Sequence, residues 1–258
     1  MLSHTQAYLN LRRQAQEAIN FVVLVCHSVP ALNGYMKAVE RNEAKKLPDT
    51  DYFNVTQPHD KLRKFKESYK KTLGRSVIIS SFAYFEAYIK DVFVEIIQFH
   101  GGSQVIAVEQ RRELVALQPV IQESKKKLSD QVNAAKAQKY RKHIENLHKV
   151  GYPLPTDLFA TYGIHRLEGE IKELRSVNIP TILEHALCLS LDEEKIKEFH
   201  RIREIRNQIA HGLLHELDLS LAMDANGFLR KLARTIDAHI VQNFLLIDKN
   251  TLRGRVKK

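Results

Sequence analysis

The ten residues Arg203-Glu204-Ile205-Arg206-Asn207-Gln208-Ile209-Ala210-His211-Gly212 hold two arginines, an asparagine and a histidine. These types suit phosphodiester chemistry. Arginine offers a planar fork of donors that holds a phosphate. Histidine changes protonation near neutral pH and can move a proton. Together they suffice to cut a phosphodiester without a metal. Arg203, Asn207 and His211 recur every four residues, so on a helix they form one line. Asn207 lies one turn before His211, within reach of an imidazole nitrogen; a bond there would fix the tautomer. Arg206 is about 140° around the helix from His211. Two routes bring that pair together: a helix that ends near Ala210 with the histidine turning back over Gly212, or a second chain across a dimer axis. The same residues also make an ordinary helix C-cap, since Arg and His favour the negative end of the dipole and Gly is the commonest stop.

The rest of the chain must position that segment. It has 258 residues, of which 44% are hydrophobic, enough for a real core. With only ten glycines and seven prolines, long periodic stretches run uninterrupted, which favours an all-α protein over a sandwich or barrel. Residues 4–28 read as a first helix with an apolar stripe at Ala15, Ala18, Ile19, Val22, Val23 and Cys26, ended by Pro30, and 31–46 as a short second one. The apolar run Ala18 to Cys26 falls far short of the roughly 20 residues of a membrane span and reads as a buried helix of a cytoplasmic protein. A long helix is expected from Asp60 to His100, closed by Gly101-Gly102. Its second half, from Val77 to Ile97, is apolar nearly all round and belongs in the middle of a bundle. Residues 105–148 read as basic, peripheral helix divided by Pro119. A short helix is expected from Pro180 to Leu187, then one capped by Ser190 or Asp192 and running to Ala210, with Ile196, Phe199, Ile202, Ile205 and Ile209 as its buried stripe. A last helix is expected over about 225–247.

The net charge of +10 suits an anionic partner, nucleic acid first. Seven Lys/Arg stand between Lys61 and Arg75, among them Lys71 and Arg75, and the Lys125–Lys142 stretch includes Lys126 and Lys127. Either could track an RNA backbone, with Tyr69 and Tyr140 available to stack on bases; a solvated helix face has the same composition. Cys26 and Cys188 read as small core residues, and with scattered histidines they give no zinc-ligand spacing. No Gly-rich phosphate loop or nucleophile elbow is present, and neither a metal nor a cofactor is expected. A membrane-surface role is disfavoured because the basic helices lack a Trp/Phe/Leu-rich face.

The string Arg206-Asn207-Gln208-Ile209-Ala210-His211-Gly212 resembles the signature of the HEPN superfamily, an arginine followed after four to six residues by a histidine, often with asparagine directly after the arginine. The stretch from Arg75 to Val92, with Tyr84-Phe85-Glu86-Ala87-Tyr88 at its centre, resembles the aromatic-Glu-Ala-aromatic helix of HEPN branches from bacterial toxin and defence systems. The resemblance covers about residues 60–100 and 190–248. It implies an all-α, HEPN-like helical bundle, here a single domain with extra N-terminal helices and a basic helical insertion at about 103–180. It implies a homodimer whose two Arg/His motifs share one cleft, and metal-independent RNA cleavage. His211 would be general base or acid on the ribose 2′-OH, Arg206 would neutralise the phosphorane, and Asn207 would orient the histidine. Glu86 would stand beside the motif, against Arg206; its other reading is a surface carboxylate paired with Lys90 one turn on. Arg203, Arg75, Lys71, Lys126 and Lys127 are the expected RNA contacts. A toxin or antiviral effector with an antitoxin partner is the expected setting. The alternative is a catalytically silent helical module that binds nucleic acid or a partner protein.

Overall fold

The computed structural model describes residues 4–47, 59–99, 171–187, 189–213 and 216–244. Among these are five α-helices and no strand: α1 (Gln6–Glu40), α2 (His59–Phe99), α3 (Ile179–Leu187), α4 (Glu193–Ala210) and α5 (Leu219–Asn243), with a 3-10 turn at Ser176–Asn178 before α3. The fold is all-α, as the composition and periodicity imply. The basic segment expected at 105–148 lies outside the described residues, as does Cys188.

Helix boundaries follow local chemistry. α2 spans His59–Phe99, close to the expected Asp60–His100. α4 is capped by Asp192, whose Oδ1 accepts from Lys195 N at 2.8 Å, and Glu193 and Glu194 occupy its first turn, where the dipole favours acids. α1 departs from expectation: it runs through Pro30 as one helix to Glu40. The stop is Asn42, at φ 60°, with Asn42 N donating to Val39 O and Glu43 N to Ala38 O. That is a Schellman ending with asparagine in the left-handed position. A proline inside a helix removes one hydrogen bond and kinks it, but the chain resumes when helix formers follow. α5 begins six residues before the expected Ala225. Asp218 caps it, its Oδ1 accepting from Ser220 N at 3.2 Å and its carbonyl from Ala222 N at 3.2 Å.

The chain divides into two compact units, one drawn from Met1–Asn10, Phe85–His200 and Lys231–Lys258, the other from Leu11–Tyr84 and Arg201–Arg230. In the first, Phe85, Ile89, Val92, Phe93 and Ile96 of α2, Leu183 and Leu187 of α3, Phe199 of α4, and Ile236 and Ile240 of α5 are fully buried. Each such side chain contributes about 1.5–3 kcal/mol by leaving water. Phe85 and Phe199 rings meet at 5.9 Å. The start of α1 is clamped by two carboxylates. Asp237, wholly buried, accepts from Thr5 N at 3.0 Å and Thr5 Oγ1 at 2.6 Å, and its other oxygen meets His4 Nδ1 at 2.7 Å. Glu95 accepts from Gln6 N and Ala7 N at 2.9 Å each. Negative groups at a helix N-terminus satisfy orphan donors and complement the dipole.

In the second unit the buried residues include Leu11, Ala15, Val22 and Met36 of α1, Leu73, Val77, Ile78 and Phe82 of α2, Ile202 of α4, and Ala222, Ala225 and Leu229 of α5. Lys66 Nζ donates to Asn33 Oδ1 at 2.9 Å and Arg63 pairs with Glu40, so α1 and α2 run antiparallel here. Gly74 lets backbones approach closely: a Cβ there would meet Leu219 Cα at 3.4 Å and Asp218 O at 3.5 Å. The expected stripe of α1 is only partly buried. Ala15 and Val22 face the interior, Ala18, Ile19 and Cys26 are half-buried, and Val23 is exposed.

Candidate active site

Arg203, Arg206, Asn207 and His211 all belong to the second unit, the first three on the last turns of α4 and His211 directly after its last residue. The helix stops in a Schellman motif. Gly212 takes φ +70°, Gly212 N donates to Ile209 O at 3.0 Å and Leu213 N to Gln208 O at 2.8 Å. His211 itself still donates its backbone N–H to Asn207 O at 2.9 Å. The reversal therefore comes after the histidine, not before it. His211 keeps its helical position, about 140° around from Arg206 and about 7.5 Å along the axis. Of the two routes to convergence, the turned-back histidine is not the one the backbone takes.

The side chains are presented to solvent. His211 is exposed, and Arg203, Arg206 and Asn207 are half-buried. The stripe beneath them is less sealed than expected: Phe199 and Ile202 are buried, but Ile196, Ile205 and Ile209 are half-buried and Leu213 beyond the glycine is 73% exposed. Arg206 has a fixed seat. Its guanidinium lies 4.7 Å from the ring centre of Phe82, a cation–π contact that steadies the fork. Phe82 is legible in the sequence only as a core residue of α2. Its second task, a platform for the arginine, carries no signal of its own. Arg203 Nε and Ser81 Oγ are buried without a hydrogen-bond partner among the described residues. The expected bond from the Asn207 side chain to the His211 ring is not formed among the described residues; Asn207 reaches the histidine through its backbone carbonyl.

Lys71 pairs with Glu216 in the segment just after the motif, and that contact holds the Glu216 carboxyl below its ordinary range. Lys71 is thus tied to an acid of its own chain. Arg75 is half-buried, with one guanidinium nitrogen donating to Thr72 Oγ1 at 3.3 Å. Glu86, half-buried on α2, belongs to the other compact unit. Lys126 and Lys127 lie outside the described residues. Among the described residues no three His, Cys, Asp or Glu side chains gather as a metal would require. α1, read as too short in its apolar run, is as one continuous helix long and apolar enough to cross a membrane by length and composition, and most of its apolar window is unburied.

No curated protein and no solved structure matches the chain. The family profile of RiboL-PSP-HEPN matches residues 50–242, which takes in α2 through nearly all of α5 and leaves the whole of α1 outside. An Arg/His motif on an exposed helix end, an all-α architecture and a match over well over half of the sequence agree: this chain belongs to the RiboL-PSP-HEPN family.

Proposed function

We propose that this protein is a metal-independent endoribonuclease of HEPN type that acts as a homodimer. The observation that carries the reading is an exposed His211 at the same helix end as an Arg206 seated on Phe82, within a chain of this family. His211 takes the proton from a ribose 2′-OH. The freed oxygen attacks the adjacent phosphorus, the bond to the 5′ oxygen breaks, and a cyclic phosphate and a 5′ hydroxyl result. Arg206 faces the phosphorane, where fixed positive charge lowers the barrier. A proton donor completes the step at the leaving oxygen. That donor is solvent water, and His211 returns the proton it took to the hydroxide left behind. The helical offset between Arg206 and His211 favours a composite site, in which one chain supplies the arginine and the other the histidine. Arg203, one turn before Asn207 on the same helix, and Arg75 hold neighbouring phosphates.

A role as a toxin or antiviral effector in the cytoplasm, restrained by an antitoxin protein, accords with the HEPN branches the motif resembles. The test is cleavage of an unstructured RNA in the presence of chelator. Wild type is expected to leave cyclic phosphate ends. His211→Ala is expected to lose about 10²–10⁴-fold in rate with its melting temperature unchanged, since the side chain is exposed. RNA binding without cleavage by wild type and variant alike would overturn the nuclease and leave a binding module.

A further inference from the structure

We infer that Lys71 is a phosphate-binding residue held in reserve by Glu216: in the free chain the Glu216 carboxylate occupies the ammonium, and a phosphodiester of the bound strand takes its place. The inference rests on the reading of this site as one that takes RNA. Its first support is position on α2. Lys71, Arg75 and Phe82 follow one another at steps of four and seven residues. On an ideal helix the three fall within an arc of about 40°, over a length of about 16 Å. Phe82 is the seat of Arg206, whose guanidinium lies 4.7 Å from the ring centre. Two cations of α2 and the seat of a third thus share one line, all within the second unit. Glu216 reaches the far end of that line from the chain segment that follows His211 and Gly212.

The segment does not need the ion pair to stay in place. Leu217, the next residue, is buried, and Asp218 caps α5 through Ser220 N and Ala222 N. Its backbone also lies against Gly74, one turn beyond Lys71: a Cβ there would meet Leu219 Cα at 3.4 Å and the Asp218 and Leu217 carbonyl oxygens at 3.5 Å. The pair itself stands in water, with the Lys71 side chain 48% exposed and that of Glu216 79%. An exposed pair of this kind holds weakly and exchanges readily. A phosphodiester carries the same single negative charge as a carboxylate and offers its oxygens to the same ammonium, a compact point charge with no fixed geometry. The exchange therefore leaves Lys71 matched and releases Glu216 to solvent. A phosphate on Lys71 lies about 16 Å along α2 from the seat of Arg206, so it is not the one being cut. It is held alike before and during the chemical step, and such uniform contacts change affinity and not turnover. Glu216 sets how readily the strand enters.

Binding of a labelled, unstructured RNA by the full chain is read by fluorescence anisotropy in the His211→Ala background, where the strand stays intact, at one fixed salt concentration. Glu216→Gln is expected to tighten binding about two- to five-fold, the equilibrium weight of an exposed ion pair. Lys71→Ala is expected to weaken it. On the Lys71→Ala chain, Glu216→Gln is expected to add nothing. In chains that keep His211, the gain from Glu216→Gln is expected in KM, with kcat unchanged. Binding that Glu216→Gln leaves the same or weakens would overturn the exchange. So would an equal gain with Lys71 absent, which is repulsion acting through space, and so would a fall in kcat, which is the mark of a strut that holds His211. RNA that binds with this pattern and is never cut would remove the nuclease and leave the exchange standing. RNA that binds none of these chains would remove both.

Discussion

Removal of the Asp237 carboxylate is expected to be among the most damaging single changes in the chain. The residue is completely buried and accepts from three donors: His4 Nδ1, Thr5 N and Thr5 Oγ1. In Asp237→Ala the histidine, whose side chain is 35% exposed, can turn to water. The two donors of Thr5 cannot, since Thr5 is buried too. Each stranded buried donor costs about 1–3 kcal/mol, so the pair costs about 4 kcal/mol, with the first turn of α1 loosened as well. Against a total stability of about 5–15 kcal/mol, that is a large share. Asp237→Asn keeps one carbonyl oxygen for Thr5 and should cost about 1–2 kcal/mol. His4→Ala should cost less than either. Urea unfolding followed by circular dichroism measures the series. An Asp237→Ala variant within about 1 kcal/mol of wild type, where surface changes usually fall, would show that the clamp contributes nothing and refute the reasoning.

Three further outcomes follow from single residues. Gly212→Ala forces a side chain into φ +70°, and should lower stability by about 1 kcal/mol and disturb His211 next to it, seen as reduced RNA cleavage at equal protein. Gly74→Ala should be neutral or stabilising, because the new Cβ makes ordinary contact at 3.4 Å and alanine is the better helix former by about 1 kcal/mol, whereas Gly74→Leu should lower the unfolding midpoint by driving α5 off α2. Tyr88 is held well above its usual pKa, first by burial and then by Asp237 nearby. The folded state therefore keeps its phenolic proton longer than the unfolded chain. The sign is a stability fully present below about pH 10, the ordinary tyrosine value, and lost as pH rises beyond it. Tyr88→Phe loses the bond to Ala233 O, about 1 kcal/mol, and should flatten that alkaline decline in a pH series of urea midpoints.

Periodicity exposed the helices whose apolar faces are buried. Residues 77–97, apolar nearly all round, became the half of α2 that contributes to both units, and Asp192, Glu193 and Glu194 marked the start of α4 by cap and dipole. Endings were harder. Pro30 outweighed Asn42 in the reading because proline is the stronger local breaker, yet asparagine at φ 60° is what stops α1. Apolar spacing also cannot tell a stripe turned inward from one turned outward, which is why α1 read as buried. At the site, Arg206 and His211 were legible as types at a spacing. The support of Phe82 beneath Arg206, the Lys71–Glu216 pair and the His4–Thr5–Asp237 cluster were not, because they join residues far apart in sequence and leave no local pattern.

A composite site makes one mixing experiment decisive. Arg206→Ala and Asn207-intact His211→Ala chains are each expected to be inactive alone on RNA. When they are combined in equal amounts and allowed to exchange, every mixed dimer holds one complete site, made of the arginine of one chain and the histidine of the other. Cleavage should return to roughly a quarter of the wild-type rate, since half of the dimers are mixed and each has one of two sites. A mixture as inactive as its components, beside an active wild type, would contradict the shared cleft, and a wild type that never cleaves RNA would contradict the nuclease itself.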